Sequence, residues 1–153
     1  MQEMRFLNGE IANTRDFPMQ TKRTVLAQVS LCRGCCCGSV ERGRSEVPVE
    51  WMKDEWKRRG LKKSVHLTIS GCLGPCDLHN VVSLSTPAGT VWLGGLRDFA
   101  SYKALLEWAV AIEEAGRALP IPDELTDFRF DPFRLPEPMS PEAGEEQKAA
   151  ARY

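Results

Sequence analysis

Six cysteines carry the chemical interest of this chain, and they fall in two groups: Cys32, Cys35, Cys36 and Cys37, then Cys72 and Cys76. In a reducing compartment structural disulfides do not persist, so two separated cysteine groups point to metal or redox chemistry. Free thiols also pack in cores as small hydrophobes. However, four Cys within six positions, flanked by Gly34, Gly38 and Arg33, do not have the composition of a core segment. Thiolate-rich sites select zinc, iron–sulfur clusters or copper(I).

A [2Fe-2S] cluster takes four thiolates, and hydrogen bonds to its sulfurs stabilise its charge. Glycines bring backbone N–H groups close without a Cβ in the way, and Gly34, Gly38, Gly71 and Gly74 flank the cysteines. Pro75 stiffens the second loop, which limits the entropy lost on binding metal. The ligand set expected is Cys32 and Cys37 from the first loop and Cys72 and Cys76 from the second, a C-x4-C followed by a C-x3-C. Spacing favours Cys37, and Cys36 or Cys35 remains open in its place. The pattern is neither the plant-type ferredoxin spacing nor that of common zinc ribbons.

Positioning these loops requires strands that end beside one another. Residues 24–31 are apolar and β-branched and predict a buried strand that ends at the first cysteine group. Pro48 and Gly60 bracket a helix whose Val49, Met52 and Trp56 share one face. Val65–Ser70 alternates as a strand and runs into the second group. Residues 81–85 and 90–93 predict a hairpin around Thr86-Pro87-Ala88-Gly89, and Asp98 to Gly116 predicts an amphipathic helix. The resulting order, β–α–β–β–β–α, is that of a small mixed α/β fold of thioredoxin type with flanking helices. If the two strands that precede the cysteine groups are parallel neighbours, both groups lie at one edge of the sheet, beyond the strands' carboxyl ends.

With Cys32, Cys37 and Cys72-Leu73-Gly74-Pro75-Cys76 set in this order of elements, the chain resembles the thioredoxin-like [2Fe-2S] ferredoxins, relatives of the small cluster-bearing subunit of NADH:quinone oxidoreductase. The resemblance runs from about Thr24 to Gly116, and Trp92 stands where the family often has an aromatic. It implies one [2Fe-2S] cluster near the surface, one-electron transfer between redox partner proteins, and pairing into a homodimer. Leu31–Gly38 also resembles stand-alone ferredoxins encoded with cobalamin-biosynthesis enzymes. The four Cys of the first loop depart from the family's two, so the second ligand there stays open.

Two other readings compete. Four thiolates also suit a structural zinc ion, which would make the chain a binding module. Cys32-Arg33-Gly34-Cys35 is a C-x-x-C after a strand, as in thiol–disulfide oxidoreductases. Such motifs open a helix, whereas here a polar loop intervenes, and Cys72 and Cys76 would have no role. His66 and His79 are read as exposed side chains, with His79 close enough to Cys76 to hydrogen-bond near a bound centre. Arg33 beside the centre is suited to steering a redox partner, and Asp77 is read as a solvated side chain. There is no dinucleotide fingerprint, Walker A loop or nucleophile elbow, so the expectation is a carrier and not an enzyme.

Composition bounds the rest. The 153 residues carry 20 basic and 21 acidic side chains, a net charge of −1, which argues against nucleic-acid binding. No apolar run approaches the ~20 residues of a membrane span, so no membrane insertion is expected. The first 22 residues are polar and read as an irregular leader without an apolar signal, which suggests a cytoplasmic location. Residues 23–117 form the expected domain. Residues 118–153 hold six of the ten prolines and form an acidic tail. Phe128, Phe130 and Phe133 suggest that its first half lies on the domain, and its last dozen residues are expected to be disordered.

Overall fold

The structure, a computed structural model, describes residues 4–7, 10–13, 18–34 and 36–134, the first two stretches by backbone alone. Cys35 and residues 135–153 therefore lie outside the described residues, and with them the expected disordered end. The elements are β1 (Met4–Leu7), β2 (Glu10–Asn13), β3 (Ala27–Cys32), α1 (Val49–Arg58), β4 (Val65–Ser70), β5 (Val82–Thr86), β6 (Gly89–Leu93), α2 (Phe99–Ala115), α3 (Asp123–Thr126) and β7 (Arg129–Phe130).

One five-stranded sheet, ordered β4-β3-β5-β6-β7, carries the domain. β3 and β4 are parallel, Ala27 opposite Val65 through Cys32 opposite Ser70, and the remaining pairs are antiparallel. A parallel pair needs a crossover, and α1 supplies it. This is the expected mixed, thioredoxin-like α/β topology with flanking helices. β3 starts three residues later than the sequence suggests, because its parallel partner begins only at Val65.

Both long helices pack on one face of the sheet. The strands send Ala27, Val29, Leu31, Val65, Val82, Leu84 and Leu93 to that side, where they meet Met52 and Trp56 of α1 and Leu105, Leu106, Ala109 and Ile112 of α2. Alternation along a strand turns the intervening residues to the other side, and Gln28, Ser30, Thr68, Ser83 and Ser85 make it polar. Each large apolar side chain so buried is worth about 1.5–3 kcal/mol. The indole of Trp56 donates to the Val65 carbonyl at 2.8 Å, which ties α1 to the start of β4. α2 runs to Gly116 as expected. Asp98 occupies its N-cap but makes no side-chain cap bond.

Two terminal segments add to this frame. β1 and β2 form a separate antiparallel hairpin with Leu7 opposite Glu10, within the stretch read as irregular. The dipeptide between them, Asn8-Gly9, is the strongest short hairpin signal a sequence carries, and the reading passed over it. After α2 the chain turns back along the domain. Leu125 is fully buried, β7 extends the sheet, and the Trp108 indole donates to the Leu119 and Pro120 carbonyls. Phe130 and Phe133 both meet the Trp92 ring edge to face. Among the described residues, no helix is long and apolar enough to cross a membrane.

Candidate metal centre

The parallel pairing of β3 and β4 decides where the cysteines meet. Cys32 closes β3 opposite Ser70, and Cys72 follows two residues beyond Ser70. The Arg33 N–H donates to the Ser70 carbonyl at 3.1 Å and the Cys32 N–H to the Val81 carbonyl at 3.1 Å. Both loops therefore leave from the same edge of the sheet.

The described cysteines form a chain of thiol contacts across the two loops. Cys32 and Cys37 are both buried, packed with Val81 under Leu73, Trp92 and Phe130. The Cys32 thiol neighbours Cys37 and the Leu73 N–H. Cys76 neighbours Cys36 and Cys72. Cys72 is exposed, and Cys36 and Cys76 are half-buried, so the centre is closed at the Cys32–Cys37 end and open at the other. An Arg42 guanidinium nitrogen lies 3.9 Å from the Cys36 sulfur. Of the expected ligand set, Cys32 neighbours Cys37 on the first loop and Cys76 neighbours Cys72 on the second. Cys36 joins them as a fifth thiol, and Cys35 lies outside the described residues.

Burial, the bond to Cys37 and the neighbouring thiols push the Cys32 pKa up to about 12, against the opposing effect of the Leu73 N–H. The same kinds of neighbour raise that of Cys76, Cys36 before all others. A thiol–disulfide nucleophile needs the opposite shift and a helix N-terminus beneath it. Cys32 instead ends a strand, and the next long helix begins only at Val49.

The glycines act differently from the expectation. Gly74 does send its N–H to a sulfur, that of Cys72 at 3.4 Å, from a φ of 117° that favours glycine. Gly34 instead donates to the Cys37 carbonyl, and Gly38 to the Asn80 side chain. Gly38 has φ 73°, and a Cβ there would lie 3.1 Å from Val47 Cγ2. Its role is to let the loop turn tightly over Val47, not to reach sulfur.

Asn80 is the residue sequence reasoning missed. It is 0% exposed. Its Oδ1 accepts from the Gly38 N–H at 2.6 Å, and its Nδ2 donates to the carbonyls of Ser45 at 2.9 Å and Leu96 at 2.8 Å. One side chain thus joins the two cysteine loops and the segment that leads into α2. Its signal was faint: an Asn placed just before β5, where φ is 47°, a conformation Asn adopts more readily than most residues.

His66 is exposed, as read, with Nδ1 3.3 Å from Thr68 Oγ1. His79 is not the exposed loop side chain expected. Its Nδ1 is buried, and burial together with Arg44 and Arg97 lowers its pKa. The Gly95 N–H donates to its carbonyl at 2.8 Å. Arg33 and Asp77 are both exposed.

The donor set suits a thiophilic group. Among the described residues, no three His, Cys, Asp or Glu side chains surround a single point as a metal ion requires. What the fold offers is two sulfur pairs, Cys32 with Cys37 and Cys72 with Cys76, and a two-iron cluster is held by two thiolates on each iron. Four buried side-chain atoms among the described residues lack any partner: Arg44 Nε, His79 Nδ1, Trp92 Nε1 and Tyr102 Oη. Arg44 and His79 lie in the loops that follow the two cysteine groups. Trp92 packs against Cys32 and Cys37, and the charges of Cys37 and Cys32 act on Tyr102. Unmet buried polarity gathered at one end of a sheet fits a site that takes a charged group.

No protein-family model matches the chain, and no curated protein matches it. Among solved structures it is similar to the wild-type thioredoxin-like [2Fe-2S] ferredoxin from Aquifex aeolicus, known from a crystal structure at 1.5 Å resolution. The two are 15% identical with a TM-score of 0.34, and the match covers 71% of this chain and 99% of that one.

Proposed function

We propose that the chain is a one-electron carrier that holds a single [2Fe-2S] cluster through Cys32, Cys37, Cys72 and Cys76. The observation that carries the reading is that two thiol pairs leave two loops at the carboxyl ends of adjacent parallel strands, with the Gly74 N–H already on the Cys72 sulfur. Bound there, the cluster supplies a one-electron couple.

The residues divide the remaining work. Cys32 and Cys37 anchor the closed end, where Val81, Leu73, Trp92 and Phe130 keep water away. Cys72 and Cys76 hold the open end, the side from which an electron enters and leaves. Cys36 is the spare thiol beside Cys76 and the substitute if Cys37 is lost. Arg33 and Arg42, both exposed, border the loops with positive charge, which suits an acidic docking surface on a redox partner protein. A cytoplasmic location and a homodimer belong to this reading. The resemblance of Leu31–Gly38 makes enzymes of cobalamin biosynthesis the first partners to try.

Purification without oxygen, with a visible spectrum and assays of iron, zinc and sulfide on one sample, tests the reading. A brown protein with two iron and two sulfide per chain, bleached by dithionite, is the expected result. A colourless protein with one zinc makes it a structural module. A colourless chain that also refuses reconstitution removes the cluster altogether.

A further inference from the structure

Three indoles provide an internal control. Trp56 donates to the Val65 carbonyl at 2.8 Å, and Trp108 to the Leu119 and Pro120 carbonyls at 3.0 and 3.1 Å. Trp92 Nε1 is also shut off from water but has no acceptor among the described residues. An indole N–H can only donate, and leaving one dry and unpaired is unfavourable. The ring that carries it packs against Cys32, Cys37 and Val81. Tyr102 repeats the pattern from α2. It is 1% exposed and its hydroxyl has no partner among the described residues. Burial raises its pKa first, and the charges of Cys37 and Cys32 raise it further.

We propose that Trp92 Nε1–H and Tyr102 Oη–H are the buried hydrogen-bond donors to sulfur at the Cys32–Cys37 end of the centre. The inference rests on the cluster reading above. Thiolate and sulfide sulfurs carry the negative charge that two stranded donors call for. Adding an electron increases that charge, so both bonds strengthen on reduction and favour the reduced state. The competing acceptor for the indole is an aromatic face, since the Phe130 and Phe133 rings lie 6.2 and 6.1 Å from Trp92.

The test compares reconstituted wild-type, Tyr102→Phe and Trp92→Phe proteins by iron and sulfide content and by spectroelectrochemical titration. Trp108→Phe, whose indole is already satisfied, serves as the control. Both test variants should load like the wild type, with the reduction equilibrium of each moved toward the oxidised form by up to about tenfold, or ~59 mV for one electron. The control should keep the wild-type potential. Tyr102→Phe removes a single oxygen, so it decides the matter if Trp92→Phe does not fold. The shift of the Fe–S stretching bands in D2O should also be smaller in Tyr102→Phe than in the wild type. Loaded variants with the wild-type potential and the wild-type deuterium shift overturn the inference and leave the cluster reading standing. A shift confined to Tyr102→Phe assigns the indole to the phenylalanine faces and overturns its half of the proposal. A wild-type chain that takes up no iron and sulfide overturns both.

Discussion

Between the helices and the sheet, Met52, Leu105, Leu106 and Ile112 are at most 1% exposed, and the two indoles buried there both reach carbonyls. At the carboxyl ends of β3 and β4, Cys32 and Cys37 are almost as deeply buried, at 3% and 2%, yet the Trp92 indole packed against their cluster has no partner among the described residues. The same strands supply both regions. The first is complete as protein, because apolar burial asks only for close packing. The second is a cysteine cluster against which Trp92 packs with an indole N–H that has no acceptor among the described residues.

The comparison can be broken most severely at the sulfurs. Cys72→Ser should lose bound iron altogether on anaerobic reconstitution, while its unloaded form melts with the unloaded wild type. Leu105→Ala should do the reverse. Removing that buried side chain costs about 2–5 kcal/mol, seen as a large fall in melting temperature, while the visible spectrum of the loaded protein stays unchanged. A spectral change in Leu105→Ala would mean that the two regions are not separable.

Asn80 is the bridge between them. Asn80→Ala strands the Gly38 N–H and the Ser45 and Leu96 carbonyls, at a cost of about 2–3 kcal/mol in a urea titration, and it should also speed the loss of iron from the loaded protein. Gly38→Ala should cost about 1–2 kcal/mol, since its φ of 73° is strained for any residue with a Cβ. The smallest effect belongs to Cys36→Ser, which should keep the full iron content and an unaltered spectrum. Loss of the cluster in that variant, with retention in Cys37→Ser, would exchange the two ligands.

Much of this was legible in the sequence. The period of Val65–Ser70 and the bracketing of α1 and α2 by Pro48, Gly60, Asp98 and Gly116 located the elements. The right-handed crossover then implied that the two cysteine loops share an edge. What was not legible depends on contacts between distant residues. Nothing local distinguishes Cys36 from Cys37, since neighbours in a tight loop are sorted by what packs on them, here Cys32 on one and Cys76 on the other. Asn80 acts through three partners far away in sequence, and the His79 loop is held by a bond from the distant Gly95 N–H to the His79 carbonyl. The β1–β2 hairpin was a different failure, a local signal present in Asn8-Gly9 and overlooked amid polar neighbours.

The most direct test of the cysteine centre is electron paramagnetic resonance of protein purified without oxygen and reduced with dithionite. The account predicts a signal from a single unpaired electron that integrates to about one spin per chain, absent before reduction and absent from Cys72→Ser. A preparation that is silent on reduction and holds one zinc per chain would contradict it.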